Sequence, residues 1–143
     1  MYKRILVGTD GSNAAEKAVD HAIDLCKDMG AELIAVSIVN LKSLAEIEQT
    51  NQEVYHKVQS DLEKRANEIL DNVEKKASSK NVKVKKIMQV GDPAEIIVEL
   101  AKREKVDLAV VGTKGLLGAK RLVLGSTAEK IVRWASVPVL VVR

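Results

Sequence analysis

The sequence predicts an α/β fold: a single-domain, open, parallel five-stranded sheet covered by helices on both faces. Short apolar runs rich in β-branched residues alternate along the chain with longer segments of helical spacing. The apolar runs are nearly continuous, which is typical of strands buried on both faces of a parallel sheet. The chain has 143 residues, 46% hydrophobic and 30% charged, so residues 1–143 are expected to form one domain with one core.

Two strands flank the first helix. Lys3–Gly8 is expected to form the first strand, and Glu32–Val39 is expected to form the second. Between them, Ala14–Met29 has helical spacing. Its predicted inner stripe consists of Ala15, Ala18, Ala22, Cys26 and Met29.

A second, longer helix follows the second strand. It is predicted by apolar residues that recur at helical spacing, namely Val54, Val58, Leu62, Ala66, Ile69, Val73 and Ala77. A single helix from Lys42 to Ser79 would be about 57 Å long, which is too long for a domain of this size. The polar stretch Gln49–Gln52 is therefore predicted to mark a break or a mobile loop.

The second half of the chain continues the alternation of strand and helix. Asp92-Pro93-Ala94-Glu95 predicts a helix start, with a capping acid, proline at the first helical position and glutamate at the third. The remaining predicted elements are a strand at Val82–Val90, a strand at Val106–Val111, a helix at Ala128–Ala135 and a strand at Val137–Val142.

The segment Gly112–Thr127 carries the pattern with most chemical content. Its glycines at 112, 115 and 125 precede two hydroxyl residues and join a strand to a helix. Glycines let the backbone approach a ligand, and a helix start directs free N–H groups and a positive dipole end at one place. The Walker spacing and the dinucleotide fingerprint are both absent. The segment therefore predicts a phosphate or carboxylate site of a different type.

These residues resemble the ATP-binding branch of the universal stress proteins. That family's motif is glycine, two residues, glycine, nine residues, glycine, then serine or threonine, and Gly112, Gly115, Gly125 and Ser126 match it. The resemblance extends over YKRILVGTDGS, VGDPAEII and SVPVLVVR. It implies a Rossmann-like sheet of order 3-2-1-4-5, and ATP as the ligand, with Mg²⁺ carried by the nucleotide.

The resemblance and the glycine pattern together give a set of candidate binding residues. They are Gly8, Thr9, Asp10, Ile38, Gly112, Thr113, Lys114, Gly115, Gly125, Ser126 and Thr127. In the implied strand order the first and fourth strands are neighbours, so their carboxyl ends meet where the strand order reverses. Asp10 is expected to face the nucleoside, because a carboxylate repels the phosphates.

Several of these residues also have structural explanations. Asp10 could form a turn or helix start together with Ser12, and Ile38 could be an ordinary core residue. Ser126 and Glu129 match a capping box, which would explain both without a ligand. Lys114 could be a solvated loop lysine, and Lys120 and Arg121 are interpreted as surface charges.

The composition argues against nucleic acid as a partner. The net charge is only +3, and the chain has no Phe, two Tyr and one Trp for base stacking. One local basic cluster consists of Lys80, Lys83, Lys85 and Lys86.

Three features bear on localisation. A single cysteine excludes disulfides within the chain, no apolar run approaches membrane-spanning length, and the start looks like a strand rather than a signal peptide. These features predict a cytoplasmic protein.

The final strand suggests the remaining partner. Val137–Val142 is apolar and lies at the sheet edge in the implied order, so we expect a homodimer through this edge.

Trp134 is assigned to packing or an interface, and His21 and His56 have no partner at metal-ligand spacing. No catalytic apparatus is evident. A regulatory or stress-survival module is expected, and a dimer without nucleotide and a slow Mg²⁺-dependent ATPase remain open.

Overall fold

The protein alternates strand and helix from end to end, as a computed structural model shows for residues 1–40, 42, 44, 45, 51–113 and 124–143. The elements with described bounds are β1 (Arg4–Gly8), α1 (Asn13–Met29), β2 (Glu32–Asn40), α2 (Gln52–Ser79), β3 (Val84–Gly91), α3 (Pro93–Arg103), β4 (Leu108–Gly112), α4 (Ser126–Trp134) and β5 (Val139–Val142). Strand ends differ from the sequence predictions by at most two residues.

The five strands form one parallel sheet of order β3-β2-β1-β4-β5. The predicted fold class and strand order are therefore confirmed. β1 lies at the centre, with Val7 opposite Ala35 of β2 and opposite Val110 of β4. Central strands with apolar residues at every position are buried from both sides.

The helices divide between the two faces of the sheet. α1 and α2 pack on one face, where Val19 and Leu70 join Ile5 in one core cluster. α3 and α4 pack on the other face, where Leu100 and Ile131 join Leu6 in a second cluster. Alternate residues of β1 thus belong to different cores, as the two-residue period of a strand requires.

Two residues that the helical spacing assigned to inner stripes are exposed instead. Met29 is 41% exposed, because it is the last residue of α1, where the helix leaves the sheet. Val54 is 48% exposed in the first turn of α2, and Leu70, which was not assigned to the predicted stripe, is buried. Trp134 is 47% exposed, so it lies outside the two cores.

The long helix begins where the polar stretch ends. Asn51 is extended, with φ −165°, and its side chain accepts hydrogen bonds from the N–H groups of Glu53 and Val54. This cap starts α2 at Gln52, so no continuous helix runs from Lys42 to Ser79, as predicted. The rest of the predicted break, Gln49 and residue 50, lies outside the described residues.

β2 and β3 are longer than their neighbours at the carboxyl end. β1 ends at Gly8 opposite Val36, whereas the pairing of β2 with β3 continues to Asn40 opposite Gly91. Four further residues of β2 at about 3.3 Å each carry its tip roughly 13 Å past the end of β1. The tips of β2 and β3 therefore form a wall beside the ends of β1 and β4.

At the opposite end of the sheet, Asp107, which directly precedes β4, accepts backbone hydrogen bonds from the start of the chain. Its Oδ2 atom accepts hydrogen bonds from the backbone N–H groups of Lys3, at 2.8 Å, and Arg4, at 2.9 Å. These two bonds lower the pKa of the Asp107 carboxyl below its ordinary value. The ionised form is the one that the folded state stabilises.

We expect Asp107→Asn to lower the free energy of unfolding at pH 7, because the amide accepts these bonds more weakly than the carboxylate. A carboxyl whose folded pKa is lowered stabilises the fold above its unfolded pKa of about 3.9 and loses that effect as pH falls through the folded value. The difference in the free energy of unfolding between the wild-type protein and Asp107→Asn should therefore disappear below about pH 4. Urea unfolding at several pH values tests this, with Asp61→Asn on exposed α2 as control. A gap that is constant with pH would contradict it.

Candidate functional site

The carboxyl ends of β1 and β4 lie side by side at the point where the strand order reverses. From β1 the chain passes to α1 on one face, and from β4 it passes to α4 on the other. In open parallel sheets such a point leaves a crevice between the two departing connections, and ligands bind there. Both segments that the sequence singled out reach this crevice.

The end of β1 is fixed by close packing and backbone hydrogen bonds. A Cβ on Gly8 would lie 2.7 Å from Ile97 Cδ1 of α3, so the glycine allows this helix to approach. Thr9 is buried, and its N–H donates to the Val36 carbonyl at 2.9 Å. Its Oγ1 accepts from Gly11 N at 3.1 Å, and Gly11 has φ +80°, a conformation that favours glycine.

Asp10 forms the turn that leads into α1. Its Oδ1 accepts a hydrogen bond from Ser12 N at 2.9 Å, and Ser12 in turn caps α1 by accepting from Ala15 N at 3.2 Å. The turn explanation for Asp10 is thus confirmed, with Ser12 rather than Asp10 as the helix cap. Oδ2 of Asp10 has no hydrogen-bond partner among the described residues, so the turn uses only one carboxylate oxygen.

Position 112 has room only for glycine because it packs against the first turn of α1. A Cβ at this position would lie 3.0 Å from the Ala14 carbonyl oxygen and 3.2 Å from its carbon. Backbone atoms in a helix cannot rotate away as a side-chain end can. Gly112 therefore brings the start of α1 against the end of β4, whatever else binds there.

The two ends of the glycine segment are tied together. Thr113 N donates to the Val142 carbonyl at 3.1 Å, and the Thr113 carbonyl accepts from Gly125 N at 2.7 Å. Thr113 and Gly125 thus lie side by side, and Thr113 lies next to the end of β5. Within that segment Lys114, Gly115, Lys120 and Arg121, which the sequence analysis discussed, lie outside the described residues.

The start of α4 differs from the prediction. The N-cap is Gly125, with φ −61° and ψ 154°, and it makes no side-chain cap. The capping box of Ser126 and Glu129 is wrong, because Ser126 is already the first helical residue and lies one position too far along. Glu129 instead accepts from Arg133 Nη2 at 2.8 Å. In the part of the chain described, the N–H groups of Ser126 and Thr127 have no acceptor.

Comparison with known proteins agrees with the fold. A family model described as the universal stress protein family matches residues 1–143. The chain belongs to this family. Universal stress protein MJ0531 of Methanocaldococcus jannaschii is 36% identical over 143 residues, covering 100% of this chain and 83% of the relative.

Two solved structures are similar to this universal stress protein over nearly all of their length. Protein MJ0577 of Methanocaldococcus jannaschii superposes with a TM-score of 0.87 at 32% identity, covering 99% of this chain and 96% of that one. A universal stress protein solved in complex with cAMP gives a TM-score of 0.70 at 28% identity, covering 99% and 97%.

The universal stress protein has further polar groups beside the crevice that the sequence analysis missed. A pocket of about 210 Å³ is lined by Asn40, Lys42, Ala45 and Asp92, at the tips of β2 and β3. Ile38 precedes it on β2 and is half-buried against the α3 and α4 core, which leaves both of its interpretations open. Asn40 and Asp92 could have been found as polar residues directly after apolar runs, but Asp92 was read only as a cap.

The basic cluster of this universal stress protein is largely neutralised by acids. Lys80 pairs with Asp24 at 2.6 Å, and Lys86 pairs with Asp71 at 2.9 Å. Lys85 pairs with Glu104. Lys85 and Lys86 lie on β3, and their acidic partners lie at the end of α3 and on α2.

Cys26 and the histidines take no part in the candidate site. Cys26 is buried on the inner face of α1, and burial raises the pKa of its thiol to about 12, which makes it a poor nucleophile. The described residues hold no group of three or more His, Cys, Asp or Glu able to bind a metal. Within those residues no helix combines the length and apolarity needed to cross a membrane.

Proposed function

We propose that this universal stress protein binds an adenine nucleotide, ATP carrying its own Mg²⁺, and acts as a nucleotide-dependent regulatory or stress-survival module of one domain, residues 1–143. One observation carries the proposal: the glycine segment is closed by the bond from Gly125 N to the Thr113 carbonyl, beside a helix start whose first N–H groups lack a side-chain cap. Uncapped N–H groups and the positive end of a helix dipole suit phosphate oxygens.

The proposed orientation places the phosphates at α4 and the nucleoside at β1 and β2. The N–H groups of Ser126 and Thr127, with Gly125 and Thr113 beside them, would bind phosphate oxygens. Oδ2 of Asp10 would accept a hydrogen bond from a ribose hydroxyl. Across the sheet, β2 and β4 are two strand spacings apart, about 10 Å, with β1 between them. Gly8, Thr9 and Gly112 would shape the floor, and Lys114 and Gly115 remain predictions.

A relative supports the same ligand class. The universal stress protein solved with cAMP, 28% identical to this chain, shows that an adenine nucleotide can be held by a protein of this fold. The structure with cAMP supports an adenine nucleotide as the ligand class, and it does not specify how many phosphates the ligand carries. ATP rather than another adenylate is therefore a separate part of the proposal.

Analysis of the bound nucleotide tests this proposal directly. We expect protein denatured by heat to release a stoichiometric adenine nucleotide, and stripped protein to take up ATP in calorimetric titration. Protein that neither releases nor binds any adenylate at millimolar concentration would refute the proposal in favour of a dimer without nucleotide. Phosphate release that depends on Mg²⁺ and disappears in Asp10→Ala would favour the slow ATPase.

We also propose a homodimer through β5, because the two edges of the sheet differ. The β3 edge carries Lys85 and Lys86, which oppose pairing with another strand. The β5 edge, Val139–Val142, has no charged side chain. The carbonyls of Pro138 and Val142 accept from β4, so residues of even number face β4 and the N–H groups of Val139 and Val141 point away from the sheet. A twin β5 could pair with them antiparallel.

We expect Val141→Pro to be monomeric at micromolar concentration, because it removes an outward N–H without breaking the ladder to β4. Light scattering coupled to size exclusion measures the mass, and circular dichroism checks the fold. The matched Lys86→Pro variant, which removes an outward N–H from the opposite edge, should remain dimeric. A wild-type protein that elutes as a monomer, or a Val141→Pro dimer, would contradict this interface.

A further inference from the structure

A second cleft lies at the other end of the sheet, where the strands begin. It has a volume of about 490 Å³ and lies between the ends of α1 and α2 and the starts of β2 and β3. β1, with five residues at about 3.3 Å each, separates this end of the sheet from the crevice. The charged lining residues, which define the amino-end cleft, are Lys27, Glu32, Lys80 and Lys83.

Two of these four charged residues already have partners. Lys80 Nζ pairs with Asp24 Oδ1 at 2.6 Å, and Arg4 Nε lies 3.8 Å from Glu32 Oε2. The hydrogen bond to Asp24 raises the pKa of Lys80, so this ammonium group stays charged within its pair. The remaining two lysines therefore decide the net charge of the cleft.

Lys27 and Lys83 supply unpaired positive charge from two sides of the cleft. Both are exposed, and neither forms an ion pair with another residue that the structure describes. Lys27 lies in the last turn of α1, where the helix dipole favours a cation. Lys83 lies outside the helices, directly before β3, so the dipole does not explain it. Its carbonyl accepts from Leu33 N at 2.9 Å, which fixes its backbone beside β2.

Lys3 extends this basic surface along the strand starts. It is exposed, and its carbonyl accepts from Glu32 N at 2.9 Å, on the side of β2 opposite to Lys83. Asp107 bonds the backbone N–H of Lys3 and leaves its ammonium group without an ion pair in the described part of the chain. The backbones at Lys3 and Lys83 are two strand spacings apart, about 10 Å. An extended peptide covers that distance in about three residues.

We propose that the amino-end cleft, together with Lys3, docks an acidic segment of a partner protein whose carboxylates are spaced about three residues apart in an extended chain. Lysine binds a carboxylate as a mobile point charge, so recognition rests on charge and spacing rather than on fixed pairs. Cys26 and Val82 are buried and give the lining an apolar part, on which the methylene groups of a glutamate can pack. The cleft lies apart from the crevice, so the proposal is independent of the nucleotide function.

The lining favours a peptide over other polyanions. No described residue of the lining is aromatic, so nucleic-acid bases have no stacking surface there. None of them is arginine, the side chain that binds phosphate through two parallel hydrogen bonds. A bilayer presents a broad surface, whereas these lysines line a concave cleft that a single extended chain can enter. Nucleic acid and an anionic membrane are therefore the competing outcomes of the test.

Titration of ¹⁵N-labelled protein with an unlabelled peptide, followed by NMR, tests both the binding and its position. The peptide has glutamate at every third position, with glycine and serine between. We expect saturable shifts that cluster at Gly30, Ala31 and Asn81, which line the cleft. The affinity should fall as salt rises, because the Debye length shortens from about 30 Å at 0.01 M to about 8 Å at 0.15 M.

Charge reversals assign the binding to the two unpaired lysines. We expect Lys27→Glu and Lys83→Glu each to weaken peptide binding about three- to tenfold, because an attraction is replaced by a repulsion. Asp28→Asn, which removes an acid next to Lys27, should tighten it. Lys17→Glu changes the net charge equally near the start of α1, far from the cleft, and should keep the wild-type affinity. Thermal unfolding checks the fold, and Lys83→Gln repeats the test with a smaller change of charge.

Each alternative has its own result. Shifts that are absent or lie away from the cleft would overturn the proposal, and so would equal losses in Lys17→Glu and Lys83→Glu, which would indicate net charge alone. Free glutamate at the same carboxylate concentration should produce no comparable shifts, and if it does, the cleft binds small carboxylates instead. Tighter binding of duplex DNA or of phosphatidylglycerol vesicles, lost in the same reversals, would replace the peptide with a nucleic acid or a membrane. Failure to bind ATP would leave this proposal unaffected.

Discussion

Ser126→Pro is expected to bind ATP about 10- to 100-fold more weakly than the wild-type protein while remaining as stable. Ser126 is the first residue of α4, and proline is favoured at this position because its missing N–H has no partner within the helix. The preceding residue, Gly125, has φ −61° and ψ 154°, which suits a residue before proline. The substitution therefore removes one N–H and one hydroxyl from the proposed phosphate site without disturbing the helix.

The size of the effect follows from the lost hydrogen bond. Hydrogen bonds to charged groups contribute about 1.5–3 kcal/mol, and each 1.4 kcal/mol is a tenfold change in affinity. Calorimetric titration measures the affinity, and thermal unfolding without nucleotide measures the stability. Ser126→Ala is the matched control, because it keeps the N–H and loses only the hydroxyl. Equal affinities for the proline variant and the wild-type protein would show that this N–H does not bind phosphate.

Gly112→Val is expected to lower the free energy of unfolding by about 2–3 kcal/mol, with or without nucleotide. The Cβ alone would lie 3.0 Å from the Ala14 carbonyl oxygen, and the two methyl groups would press further into α1. The helix could yield only by shifting its first turn, and Ser12 and Asp10 hold that turn by side-chain hydrogen bonds. Urea unfolding of stripped protein gives the measurement.

A matched pair of alanine variants separates backbone crowding from side-chain crowding. Gly112→Ala would crowd backbone, whereas Gly8→Ala would meet the terminal methyl group of Ile97 at 2.7 Å. That methyl group can rotate, and replacing glycine also restricts the unfolded chain, which offsets part of the cost. We therefore expect Gly8→Ala to be the milder change. A larger loss for Gly8→Ala than for Gly112→Ala would mean that α1 adjusts more easily than α3.

The contrast between these two experiments clarifies what the glycine motif does. Gly112 belongs to the motif, yet its contact with Ala14 gives it a packing role that exists without ligand. Gly125 ends the segment with an extended backbone where α4 begins, and its N–H donates to the Thr113 carbonyl. One glycine of the motif therefore serves the fold, and the other serves the geometry of the proposed site.

Much of the fold could be predicted because local pattern and tertiary environment agree. Leu108–Gly112 is apolar at nearly every position, and such a run is stable only between two layers of helices. Asp92 followed by Pro93 predicts the start of a helix, and in the structure the Asp92 carboxylate accepts a hydrogen bond from Glu95 N. The stripes of α1 and α2 were less accurate at Met29 and Val54, because helical spacing cannot tell where a helix extends beyond the sheet.

The start of α4 shows the limit of a local pattern. Ser126 and Glu129 have the spacing of a capping box, but the spacing is the same whether the helix begins before or after the serine. The Gly125 carbonyl accepts from Glu129 N, so the helix begins one residue earlier than the box requires, and Gly125 N is bonded to the Thr113 carbonyl at the end of β4. The spacing of the serine and the glutamate contains neither bond.

The sequence by itself determined the alternation of strand and helix, the family motif and the turn at Asp10, since these depend on neighbouring residues and on the period of apolar side chains. Only the tertiary structure decided that Asn40 and Asp92 share a pocket and that Gly112 faces Ala14. Such contacts join separate elements, and their geometry depends on strand lengths and helix positions that no single segment specifies.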